Sequence, residues 1–188
     1  MIETLLQWDT SFVHAAQALG PSWLPVAQLL SDIIGAKIYL VPAVVLALFA
    51  INKRRTAFET IIVFVVAAAV TYLLKDLIGA PRPYWVDSAV YGYAVENDNG
   101  MPSGHALISF AVLGWLWLRH PRSLSLSLGI GTIIVLVGLS RVYLGVHYPS
   151  QILAGWAIAA LILLILTIVD RTYFRRRDRF VRLSHKLR

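Results

Sequence analysis

Long apolar runs decide more about this chain than any other feature. Crossing a bilayer core of ~30 Å takes roughly 17–25 helical residues, and shorter runs rely on polar or interfacial ends. Such runs stand at 36–51, 57–77, 105–118, 124–139 and 152–169. A soluble bundle would break them with polar residues at the helical period, and the stretch 61–74 shows almost none. With 58% hydrophobic and 14% charged residues in a chain of 188, the reading is an all-α integral membrane helical bundle. It has five transmembrane helices in a single domain, residues 36–170 forming the transmembrane core. Residues 1–35 mix Glu3, Asp9, His14 and Asp32 with Leu, Ile and Trp, and turn at Gly20-Pro21. They read as amphipathic helices lying in the interface. A sixth span over 12–34 is the alternative, and Asp32 and the lack of Lys or Arg before Lys37 speak against it. No cleavable leader pattern is expected, and the spans themselves would direct insertion.

The charge distribution orients those spans. Of 17 Lys and Arg residues, 13 fall in three clusters: Lys53-Arg54-Arg55, Arg119 with Arg122, and a tail over 171–188. Five alternating spans put all three clusters on one side, which the positive-inside rule makes cytoplasmic. The tail therefore reads as a cytoplasmic anchor touching anionic lipid, and a formal charge of +7 does not imply nucleic acid. The absence of cysteine removes disulfides and thiol ligands from consideration. Trp115 and Trp117 read as an aromatic belt before Arg119, with Tyr84, Trp85, Tyr91 and Tyr93 lining the opposite loop. Gly129, Gly131, Gly138 and Gly155 are candidate sites of close helix approach.

Lys75, Arg82 and Arg141 lie at the opposite face, outside every basic cluster, where a cation in an apolar stretch marks a function. They fall in three groups: Lys75 with Arg82-Pro83; Pro102-Ser103-Gly104-His105; and Ser140-Arg141 followed by His147. Two guanidiniums and an ammonium suit a phosphoryl group, whose transition state spreads charge over its equatorial oxygens. Ser103 is a candidate helix N-cap, Gly104 permits close backbone approach, and the helix N-terminus favours an anion. One neutral histidine would attack phosphorus while the other, protonated, donates to the leaving oxygen, with no metal or cofactor required. Which histidine does which is left open by chain position. Asp76, Asp87, Glu96 and Asp98 match no metal motif and read as solvated loop acids. The run at 105–118 covers only ~21 Å, which sets His105 at or slightly below headgroup depth.

These three groups closely resemble the signature motifs of the type 2 phosphatidic acid phosphatase superfamily. That family includes bacterial undecaprenyl pyrophosphate and phosphatidylglycerophosphate phosphatases, glucose-6-phosphatase and vanadium haloperoxidases. The resemblance implies that Lys75, Arg82 and Arg141 bind phosphate with Ser103 and Gly104. It implies that His147 forms a phosphohistidine and that His105 is the general acid, later activating water. The family commonly has Asp four residues after the nucleophile, and here that position is Gln151, as in glucose-6-phosphatase-like members. The implied function is hydrolysis of a lipid phosphate or diphosphate at the extracytoplasmic face of a bacterial plasma membrane. The alternatives are a soluble sugar phosphate as substrate or a lipid phosphotransferase, with an anion transporter behind both. The implied partners are that substrate and the bilayer.

Overall fold

The computed structural model describes residues 2–34, 40–120 and 123–174, and the described residues are helical, with no strand among them. Eight α-helices are named in chain order: α1 Ile2–Gln17, α2 Leu24–Leu29, α3 Leu40–Ala50, α4 Arg54–Ile78, α5 Pro83–Val86, α6 Gly104–Arg119, α7 Leu124–Tyr143 and α8 Pro149–Val169. Most of the basic tail, Arg122 and Lys37 lie outside the described residues.

Three of these helices, α4, α7 and α8, are long and apolar enough to cross a membrane. The predicted runs at 36–51 and 105–118 correspond to shorter elements. Of the first, only the 11 residues of α3 and the turn that ends it are described; the second is α6, with 16 residues. At 1.5 Å per residue α6 rises about 24 Å and the 25-residue α4 about 37 Å. The short α6 is also the central one. It packs against α4, α7 and α8, and its Ala106, Leu107, Ala111 and Val112 are fully buried in the cores those helices share.

Close approach to α6 is made by small residues. A methyl group on Gly155 of α8 would meet the Ser103 carbonyl and the Ala106 side chain, so a larger residue there would push α8 away. Gly138 lets α7 approach α8 in the same way, against Trp156 and Ile152. The expectation fails at Gly129 and Gly131, which have open space around them.

Helix boundaries differ from the sequence reading at the motif end. α7 continues beyond the apolar run at 124–139, through Ser140 and Arg141 to Tyr143, because Val142 and Tyr143 pack inward and Arg141 pairs with Glu96. α8 begins at Pro149, which occupies a first-turn position where its missing N–H costs nothing. α4 ends at Gly79, whose φ of 63° is the left-handed conformation that glycine adopts without strain.

The amino-terminal segment is not one continuous helix over 12–34. α1 stops at Gln17, and Gly20 at φ 84° with Pro21 turns the chain into α2. α1 packs on the motif ends of α7 and α8. There the buried Asp9 accepts hydrogen bonds from the Ser150 backbone N–H at 2.9 Å and from the Ser150 hydroxyl at 2.5 Å. At the opposite end, Arg119 lies 2.8 Å from Glu59 and 2.9 Å from Asp170, and Arg55 pairs with both acids. Trp115 does not face a belt. It is buried beneath the Arg119 guanidinium, 4.3 Å from ring centroid to Cζ, because α6 is enclosed by its neighbours at that depth. Trp117 donates to the Ser127 hydroxyl at 2.9 Å.

Candidate active site

Four helix ends converge around the start of α6. Lys75 is on the last turn of α4, Arg141 on the last turn of α7, Arg82 just before the single turn α5, and His147 in the turn before α8. All four are nearly inaccessible, with exposures of 3%, 1%, 0% and 1% respectively. Three buried cations within one pocket require counter-charges.

The counter-charges come from the loop between α5 and α6. Lys75 Nζ donates to Asp98 Oδ2 at 2.8 Å, and Arg82 pairs with the other oxygen of the same carboxylate. Arg141 pairs with Glu96 and donates to Ser31. Reading Glu96 and Asp98 as solvated acids is therefore incorrect: they are ligands of the cations. Burial works against the charge on Asp98, yet Lys75 and then Arg82 outweigh it and hold its pKa below the usual carboxylate value of 3.8. Asp87 binds outside the pocket, 2.9 Å from His14 of α1.

His147 is oriented at both nitrogens. Its Nε2 lies 3.2 Å from Arg82 Nη1, and a guanidinium only donates, so Nε2 presents its lone pair there. Nδ1 carries the proton and donates to Gln151 Oε1 at 3.0 Å. The Gln151 amide nitrogen donates in turn to the Pro81 carbonyl at 2.9 Å, which fixes the amide orientation. Burial, followed by the charges of Arg141, Arg82 and Lys75, pushes the His147 pKa well below 6.5. The ring is thus neutral, with its Nε2 lone pair turned toward Arg82 among the cations.

Ser103 does not act as the capping side chain expected of it. Its Oγ makes no cap hydrogen bond and is buried without a partner, while its backbone N–H donates to the Gln151 carbonyl at 3.1 Å. Arg141 Nε is also buried without a partner. Two unused polar groups beside three cations leave hydrogen-bonding capacity for an anionic ligand. Gly104, buried, opens α6, and His105 follows it on the first turn, half-buried.

Of the loop aromatics read from the sequence as interfacial, Trp85 and Tyr91 are exposed, whereas Tyr84 and Tyr93 pack inward and hold the acidic segment. Tyr84 donates its hydroxyl proton to the Glu96 carbonyl at 2.9 Å and accepts from the Glu96 N–H at 3.2 Å. Tyr93 stacks on Tyr143 of α7 with centroids 5.9 Å apart. Sequence reasoning missed Glu96 and Asp98 because their spacing matches no motif. The available signal was electrostatic: three cations in an apolar setting need acids, and these lie in the nearest loop.

Comparison with known proteins places this geometry. Residues 56–175 match the family model of the PAP2 superfamily. Phosphatidylglycerophosphatase B of Bacillus subtilis is 28% identical over 182 residues, covering 91% of this chain and 87% of its own length. Undecaprenyl-diphosphatase of Sulfolobus acidocaldarius is 31% identical over 139 residues, covering 73% of this chain and 66% of its own length. The crystal structure of the transmembrane PAP2 type phosphatidylglycerolphosphate phosphatase from Bacillus subtilis superposes with a TM-score of 0.77 at 26% identity, over 90% of this chain and 88% of that one.

Proposed function

Because the chain belongs to the PAP2 superfamily and is a membrane phosphatase of that family, we propose that it hydrolyses a lipid phosphate or diphosphate at the extracytoplasmic face through a phosphohistidine on His147. The observation that carries this reading is the His147 Nε2 lone pair held against Arg82 in a pocket of three buried cations. A lipid substrate is favoured by the relatives named for phosphatidylglycerophosphate and undecaprenyl diphosphate. The described basic residues Lys53, Arg54, Arg55, Arg119 and Arg171, at the end of the bundle opposite the site, favour the extracytoplasmic side.

The steps follow from the groups present. The phosphoryl oxygens take the places of the Asp98 and Glu96 carboxylates on Lys75, Arg82 and Arg141, with the Ser103 hydroxyl and the Gly104 end of α6 adding polar contacts. Nε2 of His147 attacks phosphorus, forming an N–P bond as the bond to the leaving oxygen breaks. His105 gives its proton to that oxygen. The imidazolium formed at His147 is stabilised through Nδ1–H by Gln151, which supplies a dipole where many relatives would have a carboxylate. Neutral His105 then takes a proton from water, which attacks phosphorus. The N–P pair returns to Nε2, and inorganic phosphate leaves.

The test is a phosphate-release panel on purified protein with excess chelator. It covers undecaprenyl diphosphate, phosphatidylglycerophosphate, phosphatidate, a sphingoid phosphate and a sugar phosphate. Release from at least one lipid is expected, with none from His147→Ala. Turnover of the sugar phosphate alone would move the substrate class, and strict dependence on a divalent ion would sink the mechanism.

A further inference from the structure

In the closed site the three cations have 0–3% exposure, whereas the Glu96 and Asp98 side chains are 27% and 38% exposed. The two acids therefore form the outer wall of the cation pocket. A phosphoryl group reaches Lys75, Arg82 and Arg141 only by taking their places.

The exchange has a charge requirement. Three cations, the two carboxylates paired with them and a neutral His147 leave one net positive charge, partly offset by Asp32, whose charge acts on Arg141. A phosphate monoester or diphosphate bearing two negative charges replaces two carboxylates with no change in that balance. A phosphodiester brings one negative charge. If it displaces both acids, a buried cation is left without a counter-charge, the costliest arrangement available to it. If it displaces one, the other carboxylate stays beside it as a like charge.

We infer that Glu96 and Asp98 are displaceable counter-anions that any phosphate must outcompete on Lys75, Arg82 and Arg141: dianionic phosphate monoesters or diphosphates match the charge they replace, and the monoanionic phosphodiesters that fill the surrounding bilayer do not. The inference rests on the phosphatase reading and extends it to how the site ignores abundant phospholipid headgroups.

The local geometry suits an exchange of side chains. The Glu96 backbone is held at both its carbonyl and its N–H by the Tyr84 hydroxyl. The Asp98 carbonyl accepts from Arg82 Nε at 2.7 Å, independently of the Asp98 carboxylate. Rotation about the side-chain bonds swings each carboxylate outward, where it is already partly solvated, while the backbone stays docked. Arg82 also keeps its bond to the Val146 carbonyl at 2.8 Å, so the guanidinium does not follow the departing acid.

The test uses two non-hydrolysable probes that differ by one charge. These are decylphosphonate, a dianion at about pH 9, and its monomethyl ester, a monoanion. Calorimetric dissociation constants are measured in detergent for the wild type, Glu96→Gln, Asp98→Asn and the double variant. The wild type is expected to bind the dianion at least about tenfold more tightly than the ester. In the double variant both probes are expected to bind at least about tenfold more tightly, with the dianion still preferred, because neither must displace a carboxylate from the three cations. Binding of both probes that is unchanged or weaker in the single variants and the double overturns the inference. Each single variant is close in shape to the parent, so either carries the test if the double does not fold. The underlying reading fails in a distinguishable way: wild-type protein then binds neither probe and releases no phosphate from any ester.

Discussion

Replacing Gln151 by Asp, the residue that the resemblance associates with this position, is expected to damage the enzyme. The Gln151 amide uses both ends. Oε1 accepts from His147 Nδ1 at 3.0 Å and from the Tyr148 N–H at 3.3 Å, and Nε2 donates to the Pro81 carbonyl at 2.9 Å. A methyl group on the neighbouring Gly100 would lie within 2.6–2.8 Å of both amide atoms, so the chain is packed tightly around this side chain. Asp is shorter by one methylene, roughly 1.5 Å, and cannot keep contact with His147 while reaching Pro81. It also has no donor for the Pro81 carbonyl. Leaving a partly buried hydrogen-bonding group unsatisfied costs about 1–3 kcal/mol. Placing an anion where an amide stood beside a carbonyl adds repulsion, offset in part by attraction to an imidazolium. Looser orientation of Nε2 is expected to lower kcat/KM at least about tenfold. The assays are phosphate release and thermal unfolding in detergent. A Gln151→Asp protein as stable as the parent and faster than it would refute the reasoning, because the amide would then be a compromise.

Arg82→Lys is expected to lose most activity and stability, since one ammonium cannot reproduce bonds to Asp98, to the Asp98 and Val146 carbonyls and to His147 together; parental kcat/KM in this variant would contradict that role. Asp9→Ala removes the acceptor at the start of α8 and is expected to cost about 0.5–2 kcal/mol, with Asp9→Asn retaining part of it. Equal unfolding curves for all three proteins would show that α1 does not brace this end. The pH dependence has a definite sign. The His147 pKa is lowered on folding, so the unfolded chain binds more protons and stability is lost as pH falls through the ordinary value of 6.5. Asp98 is also lowered, and its contribution, present above 3.8, fades only at more acidic pH. The melting temperature of the wild type should therefore fall more steeply between about pH 7 and pH 5 than that of His147→Gln; parallel slopes would show that His147 is not held neutral.

Helical class and the positions of the three motifs were legible in the sequence because both follow from local chemistry. An apolar run such as 57–77 has no stable alternative to a helix in lipid, where every backbone polar group must be satisfied within the segment. Lys75, Arg82 and Arg141 were conspicuous because each lacks a local reason to be charged. The partners of those cations were not legible. Glu96 and Asp98 are 45 and 23 residues from the cations they meet, Arg141 and Lys75, and nothing in their spacing distinguishes them from solvated loop acids. The same limit applied to Trp115, whose place beside Arg119 suggested a belt, whereas the surrounding helices enclose it.

Gln151 shows the division within a single residue. The sequence determined that an amide stands four residues after His147, and the first turn of α8, where Gln151 Oε1 also accepts from the Tyr148 N–H, brings the two side chains together. Only the tertiary structure supplied the Pro81 carbonyl, 70 residues away, that holds the amide nitrogen and so turns its oxygen toward the histidine. Periodicity and composition act through neighbours on one helix and survive any arrangement of the others. Counter-charges and hydrogen-bond partners depend on which helix ends meet, and that is decided by packing around α6.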